Sequence, residues 1–189
     1  MQATDQKRKI HPYKFTLWVG MGSIVMMFAG FTSAYIVKRN QVNWQGFDLP
    51  VIFWYSTGVI VLSSVTMQAA VSSFRQRSMA VYKQLMIVTA VLALAFIALQ
   101  FTGFSILNKS GVKLLGQGSN VAGSFLAVIA GTHLLHVLGG IIAIGIMLAK
   151  ALRKHTRNYN VVPVEVLATY WHFVDALWIY LFAFLSLVN

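Results

Sequence analysis

The side chains able to do acid–base or metal chemistry fall in two short strings. One is Thr169-Tyr170-Trp171-His172-Phe173-Val174-Asp175, which sets a histidine and a carboxylate three residues apart. The other is Gly131-Thr132-His133-Leu134-Leu135-His136, which sets two histidines at the same spacing. On a helix, residues three apart share a face, so His172 can reach Asp175 and His133 lies beside His136. Glu165 precedes the first string, and Gln68 and Gln100 add neutral amides elsewhere. Such a set can bond helices together, relay a proton, or bind a metal or haem.

A metal site in a helix bundle needs several ligands at one depth. At 1.5 Å per residue, His172 lies ~10 Å and Asp175 ~15 Å in from Glu165, whereas His136 lies ~21 Å and His133 ~25 Å in from Lys150. The two sets are offset, which argues against metal or haem and leaves inter-helix hydrogen bonding and proton relay. There is no cysteine, so disulfides, thiolate metal sites and cysteine nucleophiles are excluded. The sequence holds no phosphate-binding glycine loop followed by lysine, and no nucleophile–base pair with an orienting third group.

The elements that position these residues are five apolar runs, approximately 15–37, 50–71, 84–107, 123–149 and 165–188. Each has the ~20 residues a membrane-spanning helix needs. The 189-residue chain is 58% hydrophobic and only 10% charged, against about 25% charged in soluble domains. The expectation is an all-α, polytopic membrane protein forming one five-helix domain. Short links predict that neighbouring helices pack antiparallel. Eleven of the fifteen Lys and Arg residues then fall on one side (Lys7, Arg8, Lys9, Lys14, Arg75, Arg77, Lys83, Lys150, Arg153, Lys154 and Arg157) and Lys38, Arg39, Lys109 and Lys113 on the other. The positive-inside rule puts the first side, with the N-terminus, in the cytoplasm and the C-terminus outside. The net charge of +11 therefore reads as topology and contact with anionic lipid, not nucleic-acid binding.

Within this frame Met1–Lys14 is a polar, basic lead into a retained first helix. Tyr13, Trp18, Tyr35, Trp44, Trp54 and Tyr55 are expected in the interfacial belts. Small residues at Gly30–Ala34 and at Gly139, Gly140 and Ala143 predict close helix approach. The link 108–122, with Gly111, Gly116 and Gly118, reads as a loop. Pro163 suits a helix start, and Glu165 sits where the helix dipole favours a carboxylate.

The string Glu165 through Tyr170-Trp171-His172-Phe173-Val174-Asp175 to Trp178 resembles the final helix of subunit III of the haem–copper respiratory oxidases, in the five-helix bacterial form. Gly131-Thr132-His133-Leu134-Leu135-His136-Val137 is similar to that family's penultimate helix, and Phe28-Ala29-Gly30-Phe31-Thr32-Ser33-Ala34-Tyr35 is a weaker match. Many members carry a glutamate where this chain has Ile24. Seven-helix members have two further N-terminal helices that enclose a lipid-filled cleft, and this chain begins at the helix matching their third.

The resemblance implies an accessory subunit without cofactors of its own. It would pack on catalytic subunit I, with subunit II and other subunits nearby and haem and copper held by the partners, in the bacterial inner membrane. It would stabilise the catalytic subunit, support proton uptake and hold phospholipid. Tyr170, Trp171 and Trp178 would be packing residues. His133, His136, Glu165, His172 and Asp175 would form a structural or proton-tuning polar face that holds helix 5 to helix 4. A stand-alone proton-coupled transporter is the alternative, and it would call for helix breaks at a midplane site.

Overall fold

The computed structural model describes residues 12–40, 44, 46–112, 114, 116, 120–152 and 160–188; the side chains of 12 and 13 are not described. Lys7, Arg8, Lys9, Lys113, Gly118, Arg153, Lys154, Arg157 and the Tyr13 side chain, all named above, lie outside the described residues. Five helices account for nearly everything described: α1 (Pro12–Arg39), α2 (Ile52–Arg75), α3 (Met79–Lys109), α4 (Val121–Leu152) and α5 (Val162–Val188). Each is long and apolar enough to cross a membrane, and no strand occurs among the described residues. The protein is an all-helical, multi-pass membrane protein.

The helices extend past the apolar runs at almost every end. The hydrocarbon core limits the apolar length and does not end the helix, so turns bearing Lys38, Arg39, Arg75 and Lys150 continue beyond it. At 32 residues, α4 is ~48 Å long, against ~30 Å of hydrocarbon. Side-chain amides help set two starts: Asn120 Oδ1 accepts the Ala122 N–H at 2.9 Å and Asn160 Oδ1 accepts the Val162 N–H at 3.0 Å. Pro163 falls in the first turn of α5, where its missing N–H leaves no bond unmade. In the link between α3 and α4, Gly111 and Gly116 adopt φ of +90° and +100°, a region open to glycine and costly for other residues.

α5 is the hub. It packs on α1, α2 and α4, while α2 pairs with α3 and α3 with α4. α1 lies against α4 and α5 and makes no close backbone contact with α2. The link between α1 and α2 thus does not make them packed neighbours, contrary to the expectation from its length.

Two glycines set the closest approaches. A Cβ on Gly140 would stand 2.7 Å from Cζ3 of Trp171, and one on Gly103 would stand 2.9 Å from Cζ of Phe53. Gly140 was expected to act in this way, and Gly103 was not singled out. Gly30 has nothing within 4 Å of its virtual Cβ, so Gly30 does not mediate close packing among the described residues. Large apolar side chains such as Met26, Leu135 and Leu187 project outward, as expected for a surface solvated by lipid.

Trp18, Trp54 and Tyr55 are exposed, which suits interfacial residues, but Tyr35 is fully buried. Its ring is 4.8 Å from Trp44, 5.5 Å from Phe184 and 6.0 Å from Phe125, edge-on in each case. An aromatic cluster therefore closes this end of the bundle, and Tyr35 belongs to it instead of to the belt.

Gly140→Leu should force Trp171 out of place at a cost on the order of 1–3 kcal/mol, and so lower the thermal midpoint of the protein in detergent. Gly145→Ala, made where nothing lies within 4 Å, should not lower the midpoint, since alanine is the better helix former. Light-scattering or tryptophan-fluorescence melts of the two variants check this.

Candidate functional site

The polar groups of α5 contact its neighbours at three levels. At the helix start, Glu165 Oε2 accepts from Lys14 Nζ of α1 at 3.1 Å and Oε1 from an Arg75 guanidinium nitrogen of α2 at 2.8 Å. These pairs bring together the start of α1, the end of α2 and the start of α5. Inward from them lies a cleft of about 300 Å³ between the three helices, lined by Lys14, Trp18, Gln68, Arg75, Glu165 and His172 among others.

At the second level three successive residues of α5 reach two neighbours, α4 and α2. Tyr170 donates its hydroxyl proton to the His136 carbonyl of α4 at 3.0 Å. Trp171 donates its indole N–H to Ser63 Oγ of α2 at 3.1 Å. The His172 ring is held at both nitrogens by α2: Nδ1 is 2.6 Å from Ser64 Oγ and Nε2 is 3.2 Å from Gln68 Oε1.

The third level is drier. Trp178 donates its indole N–H to Thr57 Oγ1 at 3.0 Å, and Tyr180 and Thr32 of α1 bond through their hydroxyls at 3.3 Å. His133 is fully buried. Its ring packs against Trp178 at 5.2 Å, Phe96 at 6.1 Å and Phe28 at 6.5 Å. Neither of its nitrogens has a hydrogen-bond partner among the described residues. His136 also meets Phe28, at 5.9 Å, and its Nδ1 bonds the Thr132 carbonyl one turn back. Asp175 is 3% exposed. Neither of its carboxyl oxygens has a hydrogen-bond partner among the described residues.

Residues 172 and 175 therefore share a face, as their spacing requires, but His172 bonds to α2 and not to Asp175. The hydrogen bonds that hold α5 to α4 come from Tyr170, not from a histidine–aspartate face. His133 and His136 lie beside Phe28 of α1. Among the described residues no three of His, Cys, Asp or Glu come together as a metal site.

Residues 23–188 match the protein family described as cytochrome c oxidase subunit III. The chain belongs to that family. Among curated proteins it is 28% identical to "Probable cytochrome c oxidase subunit 3" of Nocardia farcinica, with 96% of this chain and 94% of that one aligned. It is 24% identical to "Cytochrome c oxidase subunit 3" of Bacillus sp. strain PS3, over 91% and 84% of the two chains. It is also 24% identical to "Probable quinol oxidase subunit 3" of Staphylococcus aureus, over 93% and 89%. As a subunit III, the chain is an accessory subunit of a haem–copper oxidase. The stand-alone transporter finds no support in these relatives.

Sequence reasoning missed the partners on α2, and Ser64 above all. A lone serine in an apolar helix gives no signal of its role, because serine can satisfy itself on its own helix backbone, as Ser56 and Ser63 also do. Glu165 was read through the helix dipole; the structure adds two cationic partners. The only available signal was that Lys14, Arg75 and Glu165 fall on one side of the expected topology.

Both ion pairs of Glu165 are partly exposed, so Glu165→Gln should cost at most about 1 kcal/mol. Its larger effect should be local. Hydrogen exchange of the first two turns of α1 should speed up, while exchange in α3 stays unchanged.

Proposed function

We propose that this subunit III sits in the bacterial inner membrane with its Lys14–Arg75–Glu165 end in the cytoplasm, and that it packs on the catalytic subunit I beside subunit II. The partners would hold the haem and copper, and this chain would hold no cofactor. Its role would be to stabilise the catalytic subunit through turnover and to support proton uptake at the cytoplasmic face. The family match across residues 23–188 is the observation that carries this reading. The orientation follows from the charge asymmetry in the sequence.

Two features of the chain agree with it. Between Lys14 and Phe28, α1 leaves apolar grooves of about 590 Å³ and 500 Å³ that share Leu17, Val166 and Tyr170. Lys150 and Asn160 line the larger one. Apolar walls with a cation near the helix ends suit a phospholipid, its acyl chains along the groove and its anionic head group at Lys150. Ile24, where many members carry a glutamate, lines the smaller groove and packs against the apolar core, so this position supplies lipid contact and no proton chemistry.

The tagged chain, purified from its native membrane in mild detergent, should carry with it a large subunit with a reduced-minus-oxidised haem spectrum, together with phospholipid detectable by mass spectrometry. Recovery of the chain as a colourless protein without that subunit would exclude the proposed assembly.

A further inference from the structure

Two polar rungs join α2 to α5. Arg75 and Glu165 form the first, at the helix ends, and Gln68 and His172 form the second. On each helix the two rungs are seven residues apart, which is ~10 Å of helix. Lys14 of α1 reaches the first rung from the third side. The cleft of about 300 Å³ lies among these groups, a volume equal to that of roughly ten liquid waters.

The chemistry this cleft offers is one-sided. Both carboxylate oxygens of Glu165 are taken, one by Lys14 and one by Arg75. Both ring nitrogens of His172 are engaged with α2. The Thr169 hydroxyl gives its hydrogen to the Glu165 carbonyl. What remains is donors. Arg75 and Lys14 each spend one donor on Glu165 and carry more. Gln68 turns Oε1 to the His172 ring, so its amide nitrogen, a donor with two hydrogens, faces away from the ring. Gln68 is exposed, and lipid tails give such a group nothing to bond. Two cations stand against one carboxylate in the lining. Two helices, α1 and α5, start at this end and only α2 finishes here, so the helix dipoles also favour a negative charge. The cleft therefore suits an acceptor bearing one negative charge and not a cation.

We propose that the cleft between α1, α2 and α5 is a binding site for a phosphate monoanion, held by Arg75, Lys14 and the Gln68 amide. A tetrahedral phosphate turns oxygens to several sides at once and so meets donors from both rungs and from α1. A carboxylate presents two oxygens in one plane. Arginine holds phosphate as a fork and lysine as a point charge. The walls between the donors are apolar and include Leu17, Trp18, Val71 and Val166. The phosphodiester head of an anionic phospholipid fits both parts of the cleft, whereas free phosphate fits the polar part alone. Basic pockets between helices at a membrane surface take such head groups. This site lies on the α2 side of α1 and is distinct from the groove lined by Lys150. The inference deepens the lipid-holding role proposed above, and it is tested on this chain without the other subunits.

The test is native mass spectrometry of the full chain in detergent micelles, titrated with phosphatidylglycerol and with phosphatidylcholine. The second lipid has the same phosphodiester with a cation attached. The wild-type chain should bind phosphatidylglycerol more tightly, by about fivefold or more. Gln68→Glu keeps an oxygen for the His172 ring and replaces the amide donor by a negative charge, so it should abolish that preference. Arg75→Gln should weaken phosphatidylglycerol binding about fivefold, and it carries the test if Gln68→Glu does not fold. Both effects should persist in a Lys150→Gln background, which removes the head-group partner of the other groove. Inorganic phosphate identifies the source of the ligand. Competition with phosphatidylglycerol would show that the site accepts free phosphate, and lack of competition would show that it requires the lipid; either result keeps the site. Equal affinity for the two lipids in the wild-type chain would overturn the proposal. So would a preference that survives both Gln68→Glu and Arg75→Gln, or one that vanishes with Lys150→Gln alone. Loss of the haem-bearing partner on purification would bear only on the oxidase assembly and leave this result standing.

Discussion

In hydrocarbon a polar side chain has no water to fall back on, and its partner must come from its own helix or a neighbouring one. The arrangement of this subunit follows from how α5 meets that constraint. Trp171, His172 and Trp178 reach α2 through Ser63, Ser64, Gln68 and Thr57. Tyr170 reaches α4 and Tyr180 reaches α1. Each bond is modest, about 0.6 kcal/mol on average in membranes. Together they allow one rotation of α5 about its axis and one depth relative to α2. Apolar packing alone would discriminate less, because lipid tails solvate leucine as well as another helix does.

Steric detail then refines this arrangement. Gly140 lets the Trp171 ring lie against α4, so the residue that bonds α2 through its nitrogen also packs α4 with its ring. The salt bridges of Glu165 draw in the first turns of α1, whose closer packing is higher up, at Phe28, Thr32 and Tyr35. Between these two points α1 stands away from its neighbours. That is why the polar cleft lies on its α2 side and the larger apolar groove on its α4 side.

Helix number and class were legible in the sequence, because apolar length is a direct physical requirement of the bilayer. The family was legible too, through the strings around His172 and His133. What could not be read was which neighbour each face meets. A helix apolar on all sides carries little periodic signal, so the spacing of His172 and Asp175 suggested a mutual contact when the ring in fact turns to Ser64 and Gln68. The short link between α1 and α2 suggested packed neighbours, but the chain places α1 across α4 and α5. Tyr35 looked interfacial by its position near a helix end; only the tertiary fold shows Trp44, Phe125 and Phe184 closing around it. In each case the missing information was the identity of the partner, which depends on residues far away in the chain.

If the polar bonds from α5 to α2 set the register of the bundle, Trp171 and Ser63 are energetically coupled, and a double-mutant cycle on the two measures that coupling. Trp171→Phe, Ser63→Ala and the double variant would be compared by equilibrium unfolding in a mixed-micelle system. If the bond holds the helices in place, each single change weakens the protein and the double variant is scarcely worse than the weaker single one, giving a coupling energy of about 0.6–1.7 kcal/mol. Strictly additive losses, with no coupling between the two positions, would show that this bond does not hold α5 to α2.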